Sequence, residues 1–75
     1  MRFKDLVNKE VLDSNVKVIG KIHDVVFDED TLEITDLVFK KLGFSEQIRD
    51  SENVVPIDLV KTIGDKILLK SDDDI

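Results

Sequence analysis

Residues Ile19 to Phe39 read IGKIHDVVFDEDTLEITDLVF. The stretch holds the only histidine of the chain and six carboxylates, Asp24, Asp28, Glu29, Asp30, Glu33 and Asp36, with no lysine or arginine between Ile22 and Phe39. A helical stripe at i, i+3, i+4 and i+7 through this region would have to include Asp24, Asp28 and Glu33 beside Val and Ile, so the helical period fails. Strands fit better. Val and Ile dominate on both sides of DEDTL, and a five-residue loop between Phe27 and Glu33 has a length that closes a hairpin.

The two triplets Val25-Val26-Phe27 and Leu37-Val38-Phe39 break strict alternation. A strand with one wet face shows apolar side chains at every second position, because successive side chains point to opposite faces. Two readings follow. A strongly bent sheet lets one strand pass between packing surfaces; alternatively, the second face carries an apolar patch that binds something. Val26, Val38, Phe39, Phe44 and Val54 are the residues expected at such a partner or dimer surface. Phe44, beside Gly43, either caps a barrel mouth or docks on a partner.

Outside the hairpin, VLD, VVPI, VKTI and KILLK are further short β-favouring runs bounded by Asp, Asn, Ser or Gly. Gly64-Asp65 between KTI and KILL predicts a two-residue type II′ turn, whose first position needs a positive φ. Pro56 removes a ladder donor and places VVPI at an edge or strand end. IDLV after it reads as a single helical turn, and no long helix is expected. Residues 40–53 form one long, weakly patterned connection.

The expected fold is all-β: one domain over residues 1–75, a small, highly curved antiparallel barrel of five or six strands with at most a short helical turn, and a frayed acidic tail at about 71–75. Its expected core is Leu6, Val11, Ile19, Ile22, Val25, Phe27, Ile34, Leu37, Val55, Val60, Ile63, Ile67 and Leu69. A chain of 75 residues buries only about 60% of its unfolded surface and forms a single core. With 41% hydrophobic and 37% charged residues it has the apolar content of a folded protein rather than a disordered one.

Composition also limits function. There is no cysteine, which removes disulfides, thiolate metal sites and thiol nucleophiles. The net charge is −6 and the eleven basic residues are scattered, against the clustered Lys and Arg that direct nucleic-acid binding needs. No apolar run approaches the ~20 residues of a membrane span, and the expected location is cytoplasmic.

Chemistry-bearing clusters are few. His23 and Asp24 are neighbours on a strand and point to opposite faces, so Asp24 does not orient the imidazole; its expected role is to accept hydrogen bonds at a bend. Asp28, Glu29 and Asp30 offer oxygens for weak Ca²⁺ or Mg²⁺ binding, but EF-hand spacing is absent and a solvated hairpin tip is the simpler reading. Ser14, Ser45, Ser51 and Ser71 lie in turn or tail contexts, and three isolated glycines make no phosphate loop. No catalytic residue, cofactor or metal site is expected, and the chain is read as a non-enzyme.

The chain resembles the PRC-barrel family. The resemblance is carried by Leu6 and KEVLDS (Lys9 to Ser14), IGKIHDVVFD (Ile19 to Asp28), ITDLVF (Ile34 to Phe39) and VVPIDLVKTIGDKILL (Val54 to Leu69), nearly the whole chain. The family usually has glycine where this sequence has Val16 and Leu32, and both turns are therefore expected to be remodelled. The resemblance implies an adaptor module that binds rather than catalyses. One member forms the second domain of a bacterial ribosome-maturation factor and helps contact a ribosomal protein, and another belongs to an archaeal cell-division protein. Short stand-alone members, common in archaea, are the nearest parallel. The expected function is a protein–protein interaction module acting as a homodimer with an unidentified protein partner. The alternative is an accessory factor in RNA processing or ribosome maturation that works through a basic ribosomal protein.

Overall fold

The computed structural model describes residues 1–41 and 52–71. A four-residue helix α1 (Phe3–Leu6) precedes strands β1 (Glu10–Leu12), β2 (Val18–Phe27), β3 (Ile34–Lys41) and β4 (Glu52–Pro56). A 3-10 turn at Ile57–Leu59 then leads into β5 (Val60–Ile63) and β6 (Ile67–Leu69). Among the described residues the six strands belong to one sheet in the order β4-β3-β2-β1-β6-β5.

Two features correct the expected barrel. Among the described residues the sheet is not closed, since β4 and β5 stand at opposite ends of the order. It is also mixed, because β1 pairs antiparallel with β2 but parallel with β6. Strong curvature nonetheless follows from the connectivity. Edges of a flat six-stranded sheet lie about 24 Å apart, yet the chain passes from Pro56 at the end of β4 to Val60 at the start of β5. That span reaches at most about 14 Å even when fully extended. The sheet must curl until its two edge strands meet at one corner, and the 3-10 turn closes that corner without strand hydrogen bonds.

Pro56 closes β4, an edge strand, where its missing N–H costs the sheet little. The last hairpin departs from expectation. Ile63 pairs with Ile67, which leaves the three residues Gly64, Asp65 and Lys66 in the loop. The Gly64 N–H donates to the Lys66 carbonyl at 3.0 Å, and Gly64 does not take the positive φ of a type II′ turn.

The core gathers on one face of the curled sheet. Val11, Ile22, Leu37 and Ile67 are fully buried, and Leu6, Phe39 and Val55 complete the cluster. Burying a side chain of this size contributes about 1.5–3 kcal/mol. Ile19, Val25, Val60 and Leu69 pack against the cluster from its margins. Phe27, Ile34 and Ile63 are exposed rather than central. Phe27 and Ile34 face each other beyond a register shift at the hairpin end, past the reach of the core, and Ile63 abuts the last loop. Gly20 lies where a Cβ would run into the Lys40 carbonyl and the Phe39 ring, so β2 and β3 approach closely at that point.

Val16 and Leu32 correct a second expectation. Both hold φ 64° in the left-handed region, so the two turns keep the glycine-type backbone instead of being remodelled. Each is organised by an aspartate. Asp13 Oδ1 accepts the backbone N–H groups of Asn15 and Lys17, each at 2.9 Å. Asp28 Oδ1 accepts those of Asp30 at 2.7 Å and Thr31 at 3.3 Å. The Val16 N–H donates to the Asp13 carbonyl at 2.9 Å and the Leu32 N–H to the Asp28 carbonyl at 2.7 Å. These bonds hold the strained residues in place.

Candidate functional site

The acidic hairpin resolves into separate structural roles. His23 is the residue skipped where the β2–β3 register shifts between Ile22 and Asp24. Its Nε2 lies 3.2 Å from Glu52 Oε2 on the edge strand, and both side chains are about half exposed, so solvent screens the contact. Asp24 Oδ1 accepts the Val25 N–H at 2.8 Å, the hydrogen-bonding role expected of it at a bend. Asp28 spends one carboxylate oxygen on the loop backbone. Asp36 accepts the Thr35 hydroxyl at 2.8 Å. Among the described residues no group of three His, Asp or Glu side chains is placed to hold a metal ion.

One further ion pair bridges the parallel strands. Lys66 Nζ stands 2.7 Å from Glu10 Oε1, one step before the Val11–Ile67 pair. The hydrogen bond and positive charge of Lys66 hold the Glu10 carboxyl below its ordinary value of 4.5, with Lys21 contributing in the same direction. Among the described residues no polar or charged side chain is buried. No buried titratable group of the kind that marks many catalytic clefts is therefore found among them.

The expected surface residues divide. Val26 is 42% exposed and Val54 61% exposed. Val38 and Phe39 are buried, which corrects their assignment to an accessible surface. Phe39 shares the core face with Leu37 by simple alternation and packs inside. Val38 faces the other way, between its register partners Asp24 and Val54, and is covered within the chain. Phe44 lies outside the described residues, as do most of the 40–53 connection and the acidic tail beyond Ser71.

One accessible hollow lies outside the sequence expectations. An apolar groove of about 280 Å³ opens between Phe3 and Leu6 of α1, Ile34 and Leu37 of β3, Ile57 of the 3-10 turn and Ile63 of β5. Met1 and Arg2 form its remaining wall. Leu6 and Leu37 join its floor to the core. The sequence signal lies in Ile34 and Ile63, which alternation places in the core but which the structure leaves exposed.

These features define a small, curled β-sheet domain with an apolar opening rather than a polar cleft. The chain belongs to the PRC-barrel family: the family model for the PRC-barrel domain matches residues 1–75, the whole chain. No curated protein matches it. Among the described residues no helix is long and apolar enough to cross a membrane.

Proposed function

We propose that this chain is a non-catalytic protein-interaction module that works as a homodimer, its copies meeting at the β4 side of the sheet. The observation that carries this reading is the exposure of Val54 at the centre of β4. Among the described residues β4 is paired on one side only, with β3. An edge strand offers unpaired N–H and C=O groups to a further strand, and natural sheets ordinarily guard such edges with charge or distortion. Here the middle of the strand carries an exposed valine, and Val26 adds apolar area two strands away on the same outer face.

An antiparallel contact centred on Val54 is self-complementary, as a two-fold dimer requires. It sets Glu52 of one copy toward Pro56 of the other and brings the two Val54 side chains together. Multi-angle light scattering at micromolar protein should give about twice the 8.6 kDa chain mass. Val54→Lys should return it to the mass of one chain. A wild-type mass of one chain at that concentration would rule out the homodimer.

A further inference from the structure

We infer that His23 makes the β4 edge sensitive to pH: its protonation neutralises Glu52 and draws that carboxylate inward, so that two copies pair more tightly in mildly acidic than in mildly alkaline solution. The inference deepens the homodimer reading and rests on it.

Three observations lead to it. The first is the place of Glu52. It opens β4, whose residues are ENVVP, and is the one charged side chain on that strand. Charge on an edge strand commonly guards it against pairing with a further strand. In an antiparallel contact centred on Val54, Glu52 stands beside Pro56 of the other copy, and Asp36 is the β3 partner of that proline. Carboxylates of the two copies then share the outer face about 10 Å apart, two strand spacings, and oppose each other.

The second is the direction of the contact. His23 Nε2 lies 3.2 Å from Glu52 Oε2. His23 belongs to β2 and Glu52 to β4, with β3 between them. The contact therefore crosses β3 and holds the carboxylate over the sheet, away from the open side of β4. A neutral imidazole offers one N–H to this carboxylate; an imidazolium adds a full opposite charge.

The third is the setting of the imidazole. Lys21 and Asp24 flank His23 on β2, Lys9 and Glu10 lie across from that stretch at the start of β1, and Lys40 stands opposite Glu52 on β3. Lysines stay positive and carboxylates negative over the range in which histidine titrates. His23 is thus the member of this set whose charge changes there, and the chain has no second histidine.

Sedimentation equilibrium at matched ionic strength would measure the dimer dissociation constant at about pH 8 and about pH 5.5, limits that bracket ordinary histidine titration and leave carboxylates largely ionised. Wild type should dimerise roughly threefold to tenfold more tightly at the lower pH, the scale set by one exposed ion pair in each copy. His23→Gln keeps an N–H donor but cannot become charged, and its constant should change by less than about twofold. Glu52→Gln removes the guarding charge; it should dimerise more tightly than wild type at the higher pH and gain little on acidification. Both side chains are about half exposed, so circular dichroism should show a folded domain for each variant. Wild type that pairs no more tightly at the lower pH, His23→Gln with the wild-type response, or Glu52→Gln no tighter than wild type at the higher pH would each overturn the inference while the homodimer stands. A wild-type mass of one chain at both pH values removes the homodimer itself, and the inference with it.

Discussion

Val16 and Leu32 stand in different turns yet share one backbone conformation, φ 64°, each four residues or fewer beyond an aspartate that accepts their N–H through its carbonyl. In the left-handed region a side chain crowds the following carbonyl, at about 1–2 kcal/mol per residue. Asn8, at φ 72°, belongs to a residue type that tolerates the region; a β-branched valine does not. Replacing Val16 by glycine removes the crowding, against a gain in unfolded-state freedom of roughly 0.5–1 kcal/mol. Val16→Gly and Leu32→Gly should therefore each raise stability by up to about 1 kcal/mol. Urea denaturation would read this as a higher midpoint at unchanged slope, and a lower midpoint for Val16→Gly would show that the turn is not strained.

Gly20 responds in the opposite sense. A methyl group at this position meets the Lys40 carbonyl, which is backbone paired in β3 and cannot swing away, and the buried Phe39 ring. Overpacking a tight contact typically costs about 1–3 kcal/mol, so Gly20→Ala should lower stability by that amount. Gly64→Ala is the matched control, because a Cβ there meets open space. Equal melting temperatures for the two variants would contradict the close approach of β2 and β3.

The all-β class and the hairpin around Asp28 were legible because Val and Ile cluster in short runs separated by turn residues. The 3-10 turn after Pro56 was legible for a related reason, a proline that ends a strand before a short polar-apolar run. Three things were not. The parallel β1–β6 pair is a long-range choice that no local pattern encodes. Helix α1 is too short for periodicity, and what marks it is the reciprocal cap in which Arg2 N–H donates to Asp5 Oδ2 and Asp5 N–H to the Arg2 carbonyl, each at 3.0 Å. The groove is not legible because Phe27, Ile34 and Ile63 look like core residues by type. Whether they are enclosed depends on where the curled sheet stops, and alternation carries no information about that.

Asp13 and Asp28 make the same kind of turn and should show the same kind of loss. Each carboxylate oxygen accepts two backbone N–H groups of its own loop. Hydrogen bonds to charged groups contribute more than neutral ones, though exposure reduces the gain to about 1 kcal/mol per site. Asp13→Ala and Asp28→Ala should each lower stability by about 1 kcal/mol, and their effects should add, since the turns share no partners. Asparagine, which keeps the acceptor oxygen, should recover most of the loss. If asparagine fails as badly as alanine in both turns, the carboxylate charge rather than the acceptor geometry organises them.

Glu10 and Lys66 tie β1 to β6 at the start of their parallel ladder, and the pair sets a pH dependence of defined sign. The Glu10 carboxyl sits below its ordinary value of 4.5 in the folded chain because Lys66 donates to it and neutralises it. A carboxylate whose folded pKa is depressed contributes stability that is present above the unfolded value and lost as pH falls through the folded one. Wild type should therefore exceed Glu10→Gln in stability at neutral pH, and the difference should close progressively below about pH 4.5. Lys66→Met should give the same convergence, because removing the donor returns Glu10 to its ordinary range. Chemical denaturation of the three chains from pH 7 down to about pH 3 would follow the gap, since that range brackets ordinary carboxylate titration. A gap that stays constant across it would mean that the contact stabilises the sheet through packing of the lysine stem rather than through the ion pair.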